Sequence, residues 1–252
     1  MGSWSGDFPS LRRELAVLEI LPEASSTNDV LKSEQHFDYS GVLTGHQISG
    51  RGRLGRSWVS APDQGLALSF VVPTLSPRQQ QWLPLVTGAA LITAAHSKGI
   101  PSAQLKWPND VLVEERKLAG ILCEVRTDGR VIVGTGINID FAGGEPPSPG
   151  ATSLAAHAQV SHVLVDNLLA NLVASVRAFC EESEQEALIA ARKMVNGVLA
   201  TLGRRVSVLE VQGTEWKGLA LSLTEDGHLL VREAETGGQR AVIASDVRHL
   251  RQ

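Results

Sequence analysis

Cysteine is nearly absent from this 252-residue chain: Cys123 and Cys180 stand alone, far apart and without a Cys-x-x-Cys spacing. That excludes a disulfide scaffold and a zinc ribbon. No apolar run is long enough to cross a bilayer. The most apolar window, Leu83 to Ala95, is broken by two threonines and a glycine. Met1 to Ser10 has no basic stretch leading into an apolar one, so no signal peptide is expected. No strong charge of one sign exists either. The formal net charge of -4 excludes a protein whose whole surface clamps a polyanion. Internal repeats and long low-complexity tracts are missing as well. What is present is 43% hydrophobic and 20% charged residues, enough to fill a sizeable core. The expectation is a soluble, cytoplasmic chain of one or two domains.

The pattern changes near Leu202. From Arg205 onward come short alternating runs, Val206-Val208-Val211, Leu219-Leu221-Leu223, Leu229-Val231 and Val242-Ile243. Turn signals at Gln212-Gly213, Asp226-Gly227 and Gly237-Gly238 separate them. This reads as a small all-β barrel or sandwich over 203–252. Before it, over 1–202, helices and strands mix. Leu11, Leu15 and Leu18 suggest a short amphipathic helix, and Ser26 or Thr27 the cap of another. Segments 41–48, 66–72, 118–125 and 130–139 are β-like, and 79–97 and 161–182 helical. Segment 143–150, with three prolines and three glycines, is a loop. The fold class expected is α+β.

Five segments carry chemistry. In Gly50-Arg51-Gly52-Arg53-Leu54-Gly55-Arg56-Ser57-Trp58, glycines free the backbone to wrap a ligand while arginines supply planar, permanently charged donors. The stretch contains G-x-G-x-x-G, but a loop rather than a helix is expected after it, which excludes a dinucleotide site, and no P-loop Lys-Ser/Thr follows. An anion-enclosing loop fits better than a solvated basic turn. In Lys106-Trp107-Pro108-Asn109-Asp110 a mobile cation and a flat indole precede a turn with oxygen ligands. Arg116-Lys117-Leu118-Ala119-Gly120-Ile121-Leu122 places a lysine before a strand with a small Ala-Gly pair. Only 6 lysines stand against 17 arginines, and two of the six fall in these segments. Gly134 and Gly136 interrupt an apolar strand, as where a ligand or a second chain segment lies on the backbone. Ser25-Ser26-Thr27-Asn28 is a helix cap whose hydroxyls and first turn can receive polar groups.

In this order, Ser26-Thr27-Asn28, Gly50 to Trp58, Lys106 to Asp110, Lys117 to Leu122 and Gly134 to Asn138 closely resemble the motifs of biotin–protein ligases. The resemblance spans about residues 20 to 140. His46, Ser49 and Leu54 vary from the family pattern without touching the arginines. The resemblance implies a mixed-sheet catalytic domain flanked by helices, like the class II aminoacyl-tRNA synthetases, followed by an SH3-like barrel. About 20 residues precede the catalytic region, so the short class without a DNA-binding head is expected, as a monomer or weak homodimer with neither DNA nor membrane as partner.

The implied reaction forms biotinyl-5′-AMP from biotin and MgATP, then passes biotin to a lysine of a biotin carboxyl carrier protein. Implied biotin ligands are Ser26, Thr27, Asn28, Gln47, Gly50, Arg51, Arg53, Lys117, Gly120 and Gly136. For ATP and the adenylate they are Arg53, Arg56, Trp58, Lys106, Asn109 and Asn138. Lys117, Arg51 and Arg53 carry the catalysis and Asp110 is the candidate Mg²⁺ ligand, or else it orients Lys106 or helps deprotonate the acceptor lysine. A lipoate or octanoate ligase of the same fold is the nearest rival. A basic-loop nucleic-acid module is the rival from another class, and the balanced charge of the last 50 residues speaks against it.

Overall fold

The computed structural model describes residues 4, 6–33, 35–59, 61–210, 212–243 and 245–250. The chain opens with helix α1 (Pro9–Glu14), strand β1 (Val17–Leu21), helix α2 (Thr27–Val30) and strand β2 (Ser40–Thr44). A short hairpin, β3 (Gly50–Arg51) and β4 (Ser57–Trp58), leads into β5 (Gly65–Val72) and helix α3 (Pro77–Ser97). Strands β6 (Ala103–Lys106), β7 (Asp110–Val113), β8 (Arg116–Val125) and β9 (Val131–Asn138) follow, then helices α4 (His162–Glu181) and α5 (Glu184–Asn196). The last part is β10 (Arg205–Leu209), β11 (Glu215–Leu223), β12 (Leu229–Glu233), β13 (Gln239–Val242) and β14 (Asp246–His249). Val211, read as the end of a strand, lies outside the described residues.

Seven strands form one mixed sheet in the order β1-β2-β5-β9-β8-β7-β6, with only β1 and β2 parallel. The central strands β5 and β9 are buried on both faces, which is why they read as nearly continuous apolar runs. Their side chains alternate between two cores. Phe70, Val72, Val131 and Val133 face the large one with the helices, and Val71 and Ile132 face a small one with Leu31 and Val42. Helix α3 is buried nearly all round and enters through a Ser76/Gln79 capping box. A methyl at its Gly88 would lie 2.6 Å from Leu105 Cδ1, so glycine here lets the helix sit close on the sheet.

Helix α4 is long and apolar enough to span a bilayer by length and composition, with a mean hydropathy of 1.5. Instead it packs as a core helix through Val165, Leu168, Leu172, Val176 and Phe179. Its buried Asp166 carboxylate accepts from Ser10 N and Leu11 N, both at 2.9 Å, satisfying free amides at the start of α1.

Several readings are corrected. The helix expected through Leu11, Leu15 and Leu18 stops at Glu14, and Leu18 belongs to β1. Leu15 is already extended (φ -110, ψ 143), so only Leu11 of the three leucines lies in the helix and Leu18 follows the alternation of the strand. Strands β6 and β7, four residues each, and helix α5, whose buried residues are Ala187, Ala191 and Val195, went unread for want of a strong apolar pattern.

The last five strands form a separate antiparallel sheet in the order β13-β12-β11-β10-β14. Gly213, Gly227 and Gly237, all at positive φ, fall at the three glycine turn signals. One of these turns is the docking point onto the first sheet. Trp82 Nε1 donates to Glu225 O at 2.9 Å and Trp107 Nε1 to Gly227 O at 3.0 Å, both indoles being buried. Beside them, Trp107 N–H donates to the Thr201 hydroxyl, which also hydrogen-bonds His249 Nε2 at 3.0 Å.

Burial, with Lys106 and Arg204 nearby, pushes the His249 imidazole down to about 4, against the pull of Glu115. Above the ordinary value of 6.5 the group is neutral in folded and unfolded chains alike. As pH falls toward about 4 the unfolded chain binds the proton first, so stability is lost across that window. His249→Gln should flatten this part of the stability–pH curve in denaturant titrations. A second expectation concerns Thr135, whose hydroxyl is buried without a partner on the face it shares with Val133 and Ile137. The isosteric Thr135→Val should raise stability by about 1 kcal/mol, read from its denaturation midpoint.

Candidate active site

The site lies where β8, β9, the start of α2 and the β3–β4 hairpin meet. Ser26, Thr27 and Asn28 are buried at the N-terminus of α2, and the Ser26 side chain makes no capping hydrogen bond. Thr27 donates through both its N–H and its hydroxyl to Gln47 Oε1, at 2.9 and 3.2 Å. The Ser69 hydroxyl lies 2.6 Å from both Thr27 Oγ1 and Asn28 Oδ1, and Asn28 Nδ2 donates to Glu124 Oε2 at 2.7 Å. A methyl on Gly134 would overlap Asn28 Oδ1. The glycine on β9 is therefore there for this amide, and the same strand keeps Gly136 bare one step further on. Together with Arg51 and Gly120 these residues line a recess of about 30 Å³.

The Gly-Arg segment is a tight hairpin, with Gly50 opposite Trp58 and Arg51 opposite Ser57, closed by a single turn at Arg53–Gly55. No helix opens after it, in keeping with the exclusion of a dinucleotide loop. Leu54 (φ 55) and Gly55 (φ 73) both take the left-handed region at its tip. Gly50 packs against Gln47 and Trp58, which joins the hairpin to the recess. The three arginines diverge. Arg51 donates to Asp29 Oδ1 at 2.7 Å and Glu124 Oε2 at 2.9 Å. Arg53 reaches Asn109 Oδ1 at 3.5 Å, and burial lowers its pKa against the pull of Asp110 and Asp246. Arg56 forks onto Asp246 of β14, at 2.6 and 3.4 Å.

The two lysines share one carboxylate. Lys117 Nζ lies 2.6 Å from Asp110 Oδ1, and Lys106 Nζ 4.0 Å from Asp110 Oδ2. Lys117 also sits 5.6 Å from the centre of the Trp58 ring. That ring packs on bare backbone, 2.6 Å from where a methyl on Gly136 would be and 3.2 Å from one on Gly120. The arginine–lysine chamber, of about 100 Å³, is lined by Arg51, Arg53, Arg56, Lys106 and Lys117 among others. On the other side of Trp58 and Lys117 lies a pocket of about 180 Å³ with Val59, Asn138, Pro147, Ser148 and Ala151. Asn138 donates from Nδ2 to Lys117 O and Thr152 O, at 3.2 and 3.0 Å, tying this pocket to β8.

Asp110, the candidate Mg²⁺ ligand, sits between the two lysines. Both of its oxygens face lysines, and among the described residues no group of three His, Cys, Asp or Glu side chains comes together to hold an ion. Trp107 also departs from its reading as a flat face for a ligand: it is 2% exposed and anchors the second sheet. Asn109 is held to β8 through Nδ2 and Ile121 O at 2.7 Å. Sequence reasoning missed Asp29, Ser69, Glu124 and Asp246, the partners that hold the site residues. Only Asp29, directly after Asn28, carried a positional signal. It also gave the 143–150 loop no role, although Pro147 and Ser148 form a wall of the site and Gly150 O accepts from Lys117 N.

A mixed sheet carrying a glycine–arginine hairpin and a lysine pair beside bare glycines defines the class. Residues 21–141 match the sequence model of the Biotin/lipoate A/B protein ligase family. Over 247 residues the chain is 34% identical to a biotin--[acetyl-CoA-carboxylase] ligase of Mycobacterium tuberculosis, covering 93% of this chain and 89% of that one. It is 28% identical to the bifunctional ligase/repressor BirA of Escherichia coli over 85% of this chain and 68% of the relative. Among solved structures, the biotin protein ligase from Aquifex aeolicus in complex with biotin and ATP superposes with a TM-score of 0.75 at 28% identity. The match covers 94% of this chain and 100% of that one. The chain belongs to the biotin–protein ligase family.

Because the Gly134 position is filled by Asn28, Gly134→Ala should cost about 1–3 kcal/mol of stability by overpacking. Gly150→Ala, whose methyl would meet open space, should be close to neutral in the same denaturation series.

Proposed function

We propose that the protein is an ATP-dependent biotin–protein ligase. It joins biotin to ATP as biotinyl-5′-AMP and transfers biotin to a lysine on the carrier domain of a biotin-dependent carboxylase. The observation that carries the reading is the position of Lys117. It lines both the arginine–lysine chamber and the Asn138 pocket, oriented by Asp110 and seated over Trp58. A cation at that point faces the junction of an acid held on one side and a nucleotide held on the other.

In this reading Ser26, Thr27, Asn28 and Gln47, with the backbone of Gly120 and Gly136, hold biotin's ring end. Gly50 keeps the hairpin close enough for Arg51 to close over it. Arg53 takes the carboxylate and α-phosphate, and Arg56 and Lys106 meet the outer phosphates. Asn109 keeps Arg53 in place, and Asn138 with Trp58 receives the base. The recess of about 30 Å³ holds roughly one water, so the rings enter as Trp58 lifts from Gly120 and Gly136. Magnesium enters as part of the substrate, MgATP, carried by its phosphates. Residues 1–202 then form the catalytic domain and 203–252 an SH3-like one.

Two steps follow. A carboxylate oxygen of biotin attacks the α-phosphorus, the bond to the β-phosphate oxygen breaks, and pyrophosphate leaves. The acceptor lysine's neutral amine then attacks the acyl carbon, the acyl–phosphate bond breaks, and AMP takes the electron pair. Negative charge crowds the reacting phosphate in the first step and the acyl oxygen in the second. Fixed cations stabilise both in a site with little room for water.

Purified protein should catalyse biotin-dependent exchange between ATP and pyrophosphate, and lipoate should not replace biotin. Equal exchange with lipoate would overturn the substrate assignment. Lys117→Ala should slow adenylate formation by about 10²–10³-fold while its melting curve stays near wild type, because the side chain is polar and partly exposed. A wild-type rate in that variant would remove Lys117 from its central role.

A further inference from the structure

The hairpin that carries the three arginines has few anchors at its tip. Two backbone hydrogen bonds close it, Gly52 N to Arg56 O at 2.7 Å and Arg56 N to Arg53 O at 3.2 Å. Leu54 is exposed and left-handed, and the Arg53–Asn109 bond is long at 3.5 Å. The strong side-chain anchor of the tip comes from 190 residues away, where Asp246 receives the Arg56 fork at 2.6 and 3.4 Å.

Asp246 is built for the task. Its backbone is fixed by pairing with Leu209 in the second sheet, and its side chain is only 17% exposed where that of Arg56 is 56% exposed. Burial alone would favour the neutral acid. The Arg56 fork, with Lys106 and Arg248 nearby, instead holds the carboxyl below its ordinary value. Ser245, Asp246 and Val247 line the same chamber as Arg53, Lys106 and Lys117. The second sheet thus contributes a wall of the site, and Asp246 is its charged group there.

We propose that Asp246 is a positioning residue for ATP: by forking Arg56 onto the second sheet it presets the arginine hairpin for the outer phosphates. The fork engages one N–H from each terminal nitrogen and leaves the guanidinium's other donors free for the ligand. A hairpin held in advance loses less freedom when ATP arrives, so the gain falls on nucleotide binding and not on biotin binding. Arg56 is itself half exposed, so loss of the Asp246 carboxylate strands no charge in the interior and the fold should scarcely register it. The proposal rests on the ligase reading above.

The test compares Asp246→Asn, Asp246→Ala and Asp246→Glu with wild type in biotin-dependent exchange, in melting experiments and in limited trypsin digestion. The Asn and Ala variants should raise KM for ATP by about tenfold, as expected for loss of a charge-assisted fork. KM for biotin, kcat and the melting temperature should stay near wild type, and Asp246→Glu should recover most of the ATP affinity. Trypsin should cut after Arg53 and Arg56 faster in the Asn and Ala variants. Unchanged KM for ATP in an active wild-type background would overturn the proposal, as would parallel loss of biotin affinity and thermal stability. Absence of exchange in the wild type would instead defeat the ligase reading. Trypsin cleavage would then still decide whether Asp246 holds the hairpin, and equal cleavage rates would show that it does not.

Discussion

Five cationic side chains line one small chamber, and the rest of the site is arranged around keeping them there without a ligand. Like charges a few ångströms apart repel strongly wherever water is scarce. The structure answers with carboxylates in the chamber wall, Asp110 and Asp246, and others beyond it, Asp29 and Glu124. Asp110 serves both lysines, Asp29 and Glu124 hold Arg51, and Asp246 holds Arg56. Arg53, the most enclosed of the arginines, has only an amide at 3.5 Å and pays for its burial with a lowered pKa. It is therefore the arginine with the most to gain from an incoming anion.

The sheet supplies the other requirement, backbone that a flat group can lie on. Gly120 on β8 and Gly136 on β9 are directly paired, so the two bare positions form one patch, and Trp58 covers it here. The same indole borders both the cationic chamber and the Asn138 pocket, with Lys117 beside it. One aromatic ring thus separates the cationic chamber from the Asn138 pocket. A single lysine reaches the boundary.

Much of this was legible in the sequence because it resides in short contiguous motifs. The glycines of the hairpin and of β9, the lysines and the Ser-Thr-Asn turn could be named from residue type and spacing. So could the central strands, whose apolar runs have no other use. Apart from Asp110, the counter-ions could not be named. Arg51 finds Glu124 across 73 residues and Arg56 finds Asp246 across 190, distances along the chain that only the topology closes. Trp107 shows the opposite failure. It sits inside a chemical motif, yet its buried indole donates to the turn of the second sheet. Lys106 ends β6 and Trp107 opens the turn to β7, so a motif read as one unit is split between two tasks.

That split explains why the second sheet matters to the first. Lys106 enters the chamber while Trp107, the next residue, donates to Gly227 O, so a single peptide bond joins the chamber to the docked turn. At the far end of the same sheet, β14 brings Asp246 to the arginine hairpin. The second sheet thus reaches the site through the hydrogen bond of the buried Trp107 indole and through the Arg56–Asp246 charge pair. Its balanced composition, which argued against a nucleic-acid surface, fits this task. The sheet needs a well-placed carboxylate and a well-docked turn, and an excess of basic charge would compete with the cations it holds in place.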